Sequence, residues 1–225
     1  MESNLQYAVK EYWNERFSTE ESFEWLKDFS AFQHLVLPEL KSDSRILHIG
    51  CGNSQMSMRL LEMGFKNITN LDYSEKGREK YPEMDWVCDD IRSLESLQNE
   101  SFDVVLEKAT IEALLVGEKS AWNPSDEALV TVDNVLKSIR RVLAPRGVFI
   151  SISFTQPHFR VPALLRDNIW HVQVAEFGDS FHYFVYICRT NASEDEKLSS
   201  STSSDRFRAI VPGWSRAIPK GGGDM

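Results

Sequence analysis

Arg45-Ile46-Leu47-His48-Ile49-Gly50-Cys51-Gly52-Asn53-Ser54 reads as a buried strand that stops in a tight glycine turn. Asp72 follows after room for one helix and one further strand. A strand, a Gly-x-Gly turn, a helix and an acid closing the next strand make a nucleotide cradle. The glycines let backbone approach a ligand, and the acid accepts hydrogen bonds from both ribose hydroxyls. A dinucleotide fingerprint carries a third glycine, so that pyrophosphate sits on the helix N-terminus. Here Gln55 stands at that position and the next glycine is Gly64. The turn therefore favours a nucleoside without phosphates, for which S-adenosylmethionine is the common ligand. A nicotinamide dehydrogenase and a turn without a ligand are the weaker alternatives.

Outward from that turn, β and α patterns alternate. Strands are expected at 45–50, 67–72, 84–88, 102–107 and 147–153, and helices at 54–63, 74–80 and 126–143. The alternation predicts a parallel sheet covered on both faces. Residues 170–177 and 181–188 then alternate in polarity around Gly178-Asp179-Ser180, as a terminal β-hairpin does. An α/β, Rossmann-like, mostly parallel seven-stranded sheet closed by a C-terminal antiparallel hairpin is the class I methyltransferase architecture. Residues 1–40 form an aromatic-rich helical segment, with helices expected over 7–17 and 28–37 and Pro38 ending the second. The core is expected over 41–190. The Ser/Thr run at 199–204 and the closing glycines mark 191–225 as a disordered tail.

The 225 residues carry 34 Asp and Glu against 25 Lys and Arg, a net charge of −9. That balance disfavours binding to a nucleic-acid backbone, which relies on clustered cations, and suits a basic protein partner. Three widely spaced cysteines make neither a disulfide framework nor a zinc pattern. No metal is expected, because the five histidines show no ligand spacing. No apolar window is long enough to span a membrane. The N-terminus lacks the marks of a signal peptide or a mitochondrial presequence, so a cytoplasmic protein is expected.

The strand ends assemble one pocket. Gly50, Cys51 and Gly52 would lie under the methionine part of the cofactor. Asp72 would hold the ribose, with Tyr73 beside the adenine. Asp90 would accept from the adenine amino group, and Ile91 would cover the ring. Glu107 and Lys108 close the fourth strand next to the transferring methyl and are the catalytic candidates, with Lys108 also bordering the cofactor. Glu107 is expected to orient an incoming ammonium. His182 and Tyr183 on the hairpin are secondary candidates for substrate contact.

Phe102-Asp103-Val104-Val105-Leu106-Glu107-Lys108-Ala109-Thr110-Ile111-Glu112-Ala113-Leu114 resembles the (D/E)KGTLDAL signature of a group of protein lysine methyltransferases. That group includes enzymes acting on translation elongation factor 1-alpha and on citrate synthase. Tyr12-Trp13-Asn14-Glu15-Arg16-Phe17, Phe23-Glu24-Trp25 and Gly50-Cys51-Gly52-Asn53-Ser54 are similar to its other segments. Ala121-Trp122-Asn123-Pro124 and Pro157-His158-Phe159-Arg160 point to the branch called elongation factor 1-alpha lysine methyltransferase 4. The resemblance spans about residues 7 to 189. It implies S-adenosylmethionine as cofactor and a lysine of elongation factor 1-alpha as acceptor. It also implies that Trp13, Phe17 and Trp25 close over the cofactor, whose sulfonium cation aromatic faces attract. Citrate synthase, another protein or a small molecule are the alternative acceptors, and a cofactor-binding module with weak turnover is a further alternative. Three departures stand out. Ala109 and Arg146 replace family glycines, and Phe17 replaces a common tyrosine.

Overall fold

A computed structural model of the chain describes residues 4–166 apart from 81 and 83, residues 169–190 and residues 207–209. Five parallel strands come first: β1 (Ile46–Ile49), β2 (Ile68–Asp72), β3 (Asp85–Cys88), β4 (Phe102–Lys108) and β5 (Leu143–Ser153). The hairpin strands β6 (Trp170–Phe177) and β7 (Tyr183–Thr190) pair antiparallel, and β7 also runs antiparallel to β5. The sheet order is β3-β2-β1-β4-β5-β7-β6, with one further short strand beyond β6. The expected seven strands are present. The short β8 (Phe207–Ala209) pairs with β6 inside the stretch expected to be disordered. The rest of that stretch lies outside the described residues.

Helices cover both faces. They are α1 (Lys10–Thr19), α2 (Gln33–Val36), α3 (Met56–Glu62), α4 (Lys76–Lys80), α5 (Thr110–Leu114), α6 (Asp126–Val142) and α7 (Pro157–Leu165). Strand side chains alternate between the faces. Ile46, Val104, Leu106 and Ile150 pack on Met56 and Leu60 of α3 and on Phe29, Phe32 and Val36 of the N-terminal segment. Leu47, Ile49, Val105 and Phe149 pack instead on Val135 and Ile139 of α6 and on Val161 and Leu164 of α7. Among the described residues no helix is long and apolar enough to cross a membrane.

Two helices went unforeseen, α5 and α7. Each is short. α7 starts at Pro157, which is favourable in a first turn, but contains Pro162, which argues against a helix when the sequence is read alone. The expected helix over 28–37 is instead two 3-10 turns flanking the single-turn α2.

Both departures from the family glycines sit in left-handed backbone, with φ of 61° at Ala109 and 63° at Arg146. Ala109 is the hinge between β4 and α5. Arg146 lies in the irregular stretch where β5 loses register with β4. The chain therefore keeps conformations that glycine adopts freely and L-residues adopt at a cost of about 1–2 kcal/mol.

Candidate active site

The strand order reverses between β1 and β4, and the carboxyl ends of the strands around that point open into a cavity of about 470 Å³. This volume lies within the usual range for small-molecule sites. All eleven residues expected to bind the cofactor line it: Trp13, Phe17, Trp25, Gly50, Cys51, Gly52, Asp72, Tyr73, Asp90, Ile91 and Lys108.

Asp72 sits at the end of β2, only 5% exposed. Its Oδ2 accepts from the Gly52 N–H at 2.9 Å and its Oδ1 from the Ser74 N–H at 2.8 Å. Each oxygen keeps a lone pair for a further donor. Burial pushes this carboxyl up to about 6, against the pull of those two N–H groups. A built carboxylate with spare acceptor capacity at the wall of a cavity fits a ribose diol.

The glycine turn is shaped by more than a ligand. Gly50 and Gly52 have φ of 59° and 50°. A Cβ on Gly52 would come within 2.7 Å of the Phe17 ring, and one on Gly50 within 2.2 Å of Thr110. The turn therefore needs glycine partly because an aromatic ring of α1 lies directly on it.

That ring belongs to a continuous aromatic cluster. Trp13 lies 5.4 Å from Phe17 and 6.0 Å from Trp25, and Phe23 lies 5.2 Å from Trp25. The Arg16 guanidinium stacks 4.5 Å from the Phe23 ring and 5.1 Å from that of Trp25. Glu24 ties this segment to the glycine turn. It accepts from the Gln55 N–H at 2.6 Å, so it caps α3 from outside, and from the Ser54 hydroxyl at 3.0 Å. It also ion-pairs with Lys108, whose side chain is 4% exposed. Burial lowers the Lys108 pKa, and the Glu24 charge opposes that shift. Glu24 was quoted in the sequence only as part of a motif. Its role as the anchor of the N-terminal segment was missed.

Asp90 lines the cavity, but its carboxylate is already engaged by Arg92, through Nε at 2.9 Å to each oxygen and Nη2 at 2.5 Å. An adenine amino group would have to share it.

Glu107 is not on the cavity wall, and its expected contact with an incoming ammonium is corrected here. It is fully buried on the opposite side of β4 from Lys108, where Oε1 accepts from the Ser151 hydroxyl and Oε2 from the Thr110 N–H at 3.0 Å. Burial and the Glu112 charge push it up to about 7, with Arg160 pulling the other way. It caps α5. Lys108 does line the cavity, yet its amine is held by Glu24 and is no free proton acceptor. His182 pairs with Glu176, and Tyr183 stacks on Phe177 at 5.4 Å. Neither lines the cavity. The acid that does line this end is Glu112, on α5.

A methyltransferase domain model matches residues 47–151. EEF1A lysine methyltransferase 4 of Mus musculus is 39% identical over 197 residues, covering 83% of this chain and 77% of the mouse protein. The same protein of Bos taurus matches with the same identity and coverage. The chain belongs to the class I methyltransferase family. The crystal structure of the N-methyltransferase NodS from Bradyrhizobium japonicum, solved with S-adenosylhomocysteine, agrees in fold, with a TM-score of 0.56 at 16% identity. It covers 84% of this methyltransferase, which in turn spans 99% of NodS. The cofactor of this methyltransferase is S-adenosylmethionine.

Proposed function

We propose that this methyltransferase acts on a lysine side chain of a protein, with elongation factor 1-alpha as the acceptor and the cytoplasm as its place of action. The observation that carries the proposal is the likeness over most of the chain to EEF1A lysine methyltransferase 4. The acidic charge of the chain supports it, since electrostatic complementarity speeds encounter with a basic partner.

In this reading Asp72 holds the ribose, and Gly50, Cys51 and Gly52 run under the methionine portion. Tyr73 and Ile91 enclose the adenine, with Asp90 shared between its amino group and Arg92. Residues 1–40 act as a lid. Trp13, Phe17 and Trp25 close the cavity over the glycine turn, and the Glu24–Lys108 pair latches the lid to β4. When bound, the cofactor supplies an electrophilic methyl group on a sulfonium. The protein's part is positioning and exclusion of water, which together supply much of the rate of an in-line transfer. A lysine must also shed a proton. With an ordinary pKa near 10.4, that costs roughly 4–5 kcal/mol at pH 7, and an apolar channel lowers it by desolvation.

The test offers purified elongation factor 1-alpha and purified citrate synthase with labelled cofactor and maps the product by mass spectrometry. Labelling of an elongation factor lysine is the expected result. Labelling of citrate synthase alone, or of a small molecule and neither protein, would overturn the assignment.

A further inference from the structure

We infer that Glu112 receives the acceptor's ammonium group at the reaction end of the cavity, an inference that rests on the acceptor being a basic amine.

The strand order places the ends of the cavity. Asp72 closes β2 on one side of β1, and Glu112 follows β4 on the other side. Phe154, which follows β5 directly, lines the cavity with it. An amine attacking at the far end from the ribose site therefore meets Glu112 and Phe154.

The two oxygens of Glu112 are unequally used. Its side chain is 9% exposed. Oε1 accepts from the Ser153 hydroxyl, from the Thr155 hydroxyl at 2.9 Å and from the Arg160 guanidinium. Glu112 lines the cavity, and its Oε2 is buried with no hydrogen-bond partner in the protein. A carboxylate oxygen closed off from water without a donor is a costly arrangement. It is relieved if a ligand brings the donor.

Charge points the same way. Arg160 is buried and feels the charges of both Glu112 and Glu107, so this cluster sets one guanidinium against two acids. Nε of Arg160 is also without a partner, on the guanidinium that already meets Oε1, while two other nearby donors are committed elsewhere. The Lys108 amine is held by Glu24, and the Tyr186 hydroxyl donates to the Thr155 carbonyl at 2.5 Å. No donor in the protein reaches Oε2, and an alkylammonium supplies three N–H groups and a positive charge. One N–H fixed on Oε2 also sets the direction of the nitrogen, which in-line transfer requires. Glu107 cannot serve, because both of its oxygens already accept bonds away from the cavity.

The experiment uses Glu112→Gln. The glutamine oxygen can keep the bonds to Ser153, Thr155 and Arg160, and its amide then puts a donor where Oε2 was an acceptor. Calorimetry should give S-adenosylhomocysteine affinity within twofold of wild type. On protein saturated with S-adenosylhomocysteine, saturation-transfer NMR should show n-butylammonium binding to wild type at least tenfold more tightly than to the variant. n-Butanol, the neutral control, should not discriminate between them. In wild type, the methylene beside the nitrogen should give nuclear Overhauser contacts to the Phe154 ring. Equal n-butylammonium binding by both proteins, loss of S-adenosylhomocysteine affinity in the variant, or absence of those contacts would overturn the assignment. The probe does not depend on which protein is methylated, so failure of elongation factor 1-alpha as a substrate would leave it standing.

Discussion

Lowering the pH from 7 to 5 tests the Asp72 assignment without changing a residue. The ribose hydroxyls donate, so the site binds the cofactor through the charged carboxylate, and a proton on Asp72 competes with it. The carboxyl titrates at about 6 in the folded protein because burial disfavours its charge. It is charged in about nine molecules of ten at pH 7 and in about one of ten at pH 5, so affinity should fall about tenfold. At lower pH the loss levels off at the affinity that the neutral, protonated carboxyl retains. The α-amino and α-carboxyl groups of S-adenosylhomocysteine keep their charges across this window. Glu107, which titrates at about 7, is absent from the cavity wall, so it should not shape the binding curve.

The same shift has a consequence for stability, of opposite sign. The folded pKa of Asp72 lies above its ordinary value of 3.8, so the folded state holds the proton more tightly. Stability of the ligand-free protein therefore falls as pH rises from about 4 to about 6, and the buried charge costs about 3 kcal/mol at pH 7. Asp72→Asn removes that cost but turns an amide NH2 toward the N–H of Gly52 or Ser74, which costs about 1–3 kcal/mol. The variant should melt close to wild type and bind S-adenosylhomocysteine about 10- to 150-fold more weakly at pH 7, the worth of one charge-assisted bond of about 1.5–3 kcal/mol. Its remaining affinity should not change between pH 7 and 5. Isothermal titration calorimetry of both proteins at the two pH values is the assay. A wild-type affinity constant within twofold, or an equal pH slope in the variant, would refute the assignment.

Glu24→Gln leaves the Lys108 ammonium buried without its counter-charge, so it should weaken S-adenosylhomocysteine binding at least tenfold, by calorimetry, while far-UV circular dichroism stays unchanged. Ala109→Gly should stabilise the protein by about 0.5–1 kcal/mol in urea melts, the left-handed strain relieved less the entropy glycine loses on folding. Glu107 is buried with its folded pKa raised to about 7, so wild type should lose stability relative to Glu107→Gln as pH rises from 5 to 7. Paired urea melts at the two pH values would show no such divergence if the carboxyl were ordinary.

Much of the fold was legible because its signals are local. The buried run of β1, the glycine turn and the alternating hairpin each declare themselves within ten residues or so. Asp72 was legible because strand, helix and strand have nearly fixed lengths, which carries a site residue across 20 positions to its partner Gly52. The Glu24–Lys108 pair spans 84 residues, and no local pattern joins its halves. α7 was hidden by Pro162, whose missing N–H its tertiary packing tolerates.

The error over Glu107 has a different origin, because the signal that corrects it was present in the sequence. Successive side chains on a strand point to opposite faces. Val104 and Leu106 face α3 and the N-terminal segment, so Lys108 falls on that side, where Glu24 meets it. Val105 faces α6 and α7, so Glu107 falls with it, beside Ser151 of the neighbouring strand and within the field of Arg160. The two residues closing β4 therefore cannot both serve the cavity wall. In the proposal that Glu112 receives the acceptor, the acid comes from beyond the strand, after a hinge that turns the chain back over the sheet end. Ala109 is that hinge, in the left-handed conformation that the family glycine would adopt freely, and Glu112 lies just over half a turn into the helix it starts. On that proposal the left-handed turn at 109 and the acid at 112 belong to one device. The alanine of this chain keeps the device at a cost in backbone strain, which Ala109→Gly would measure.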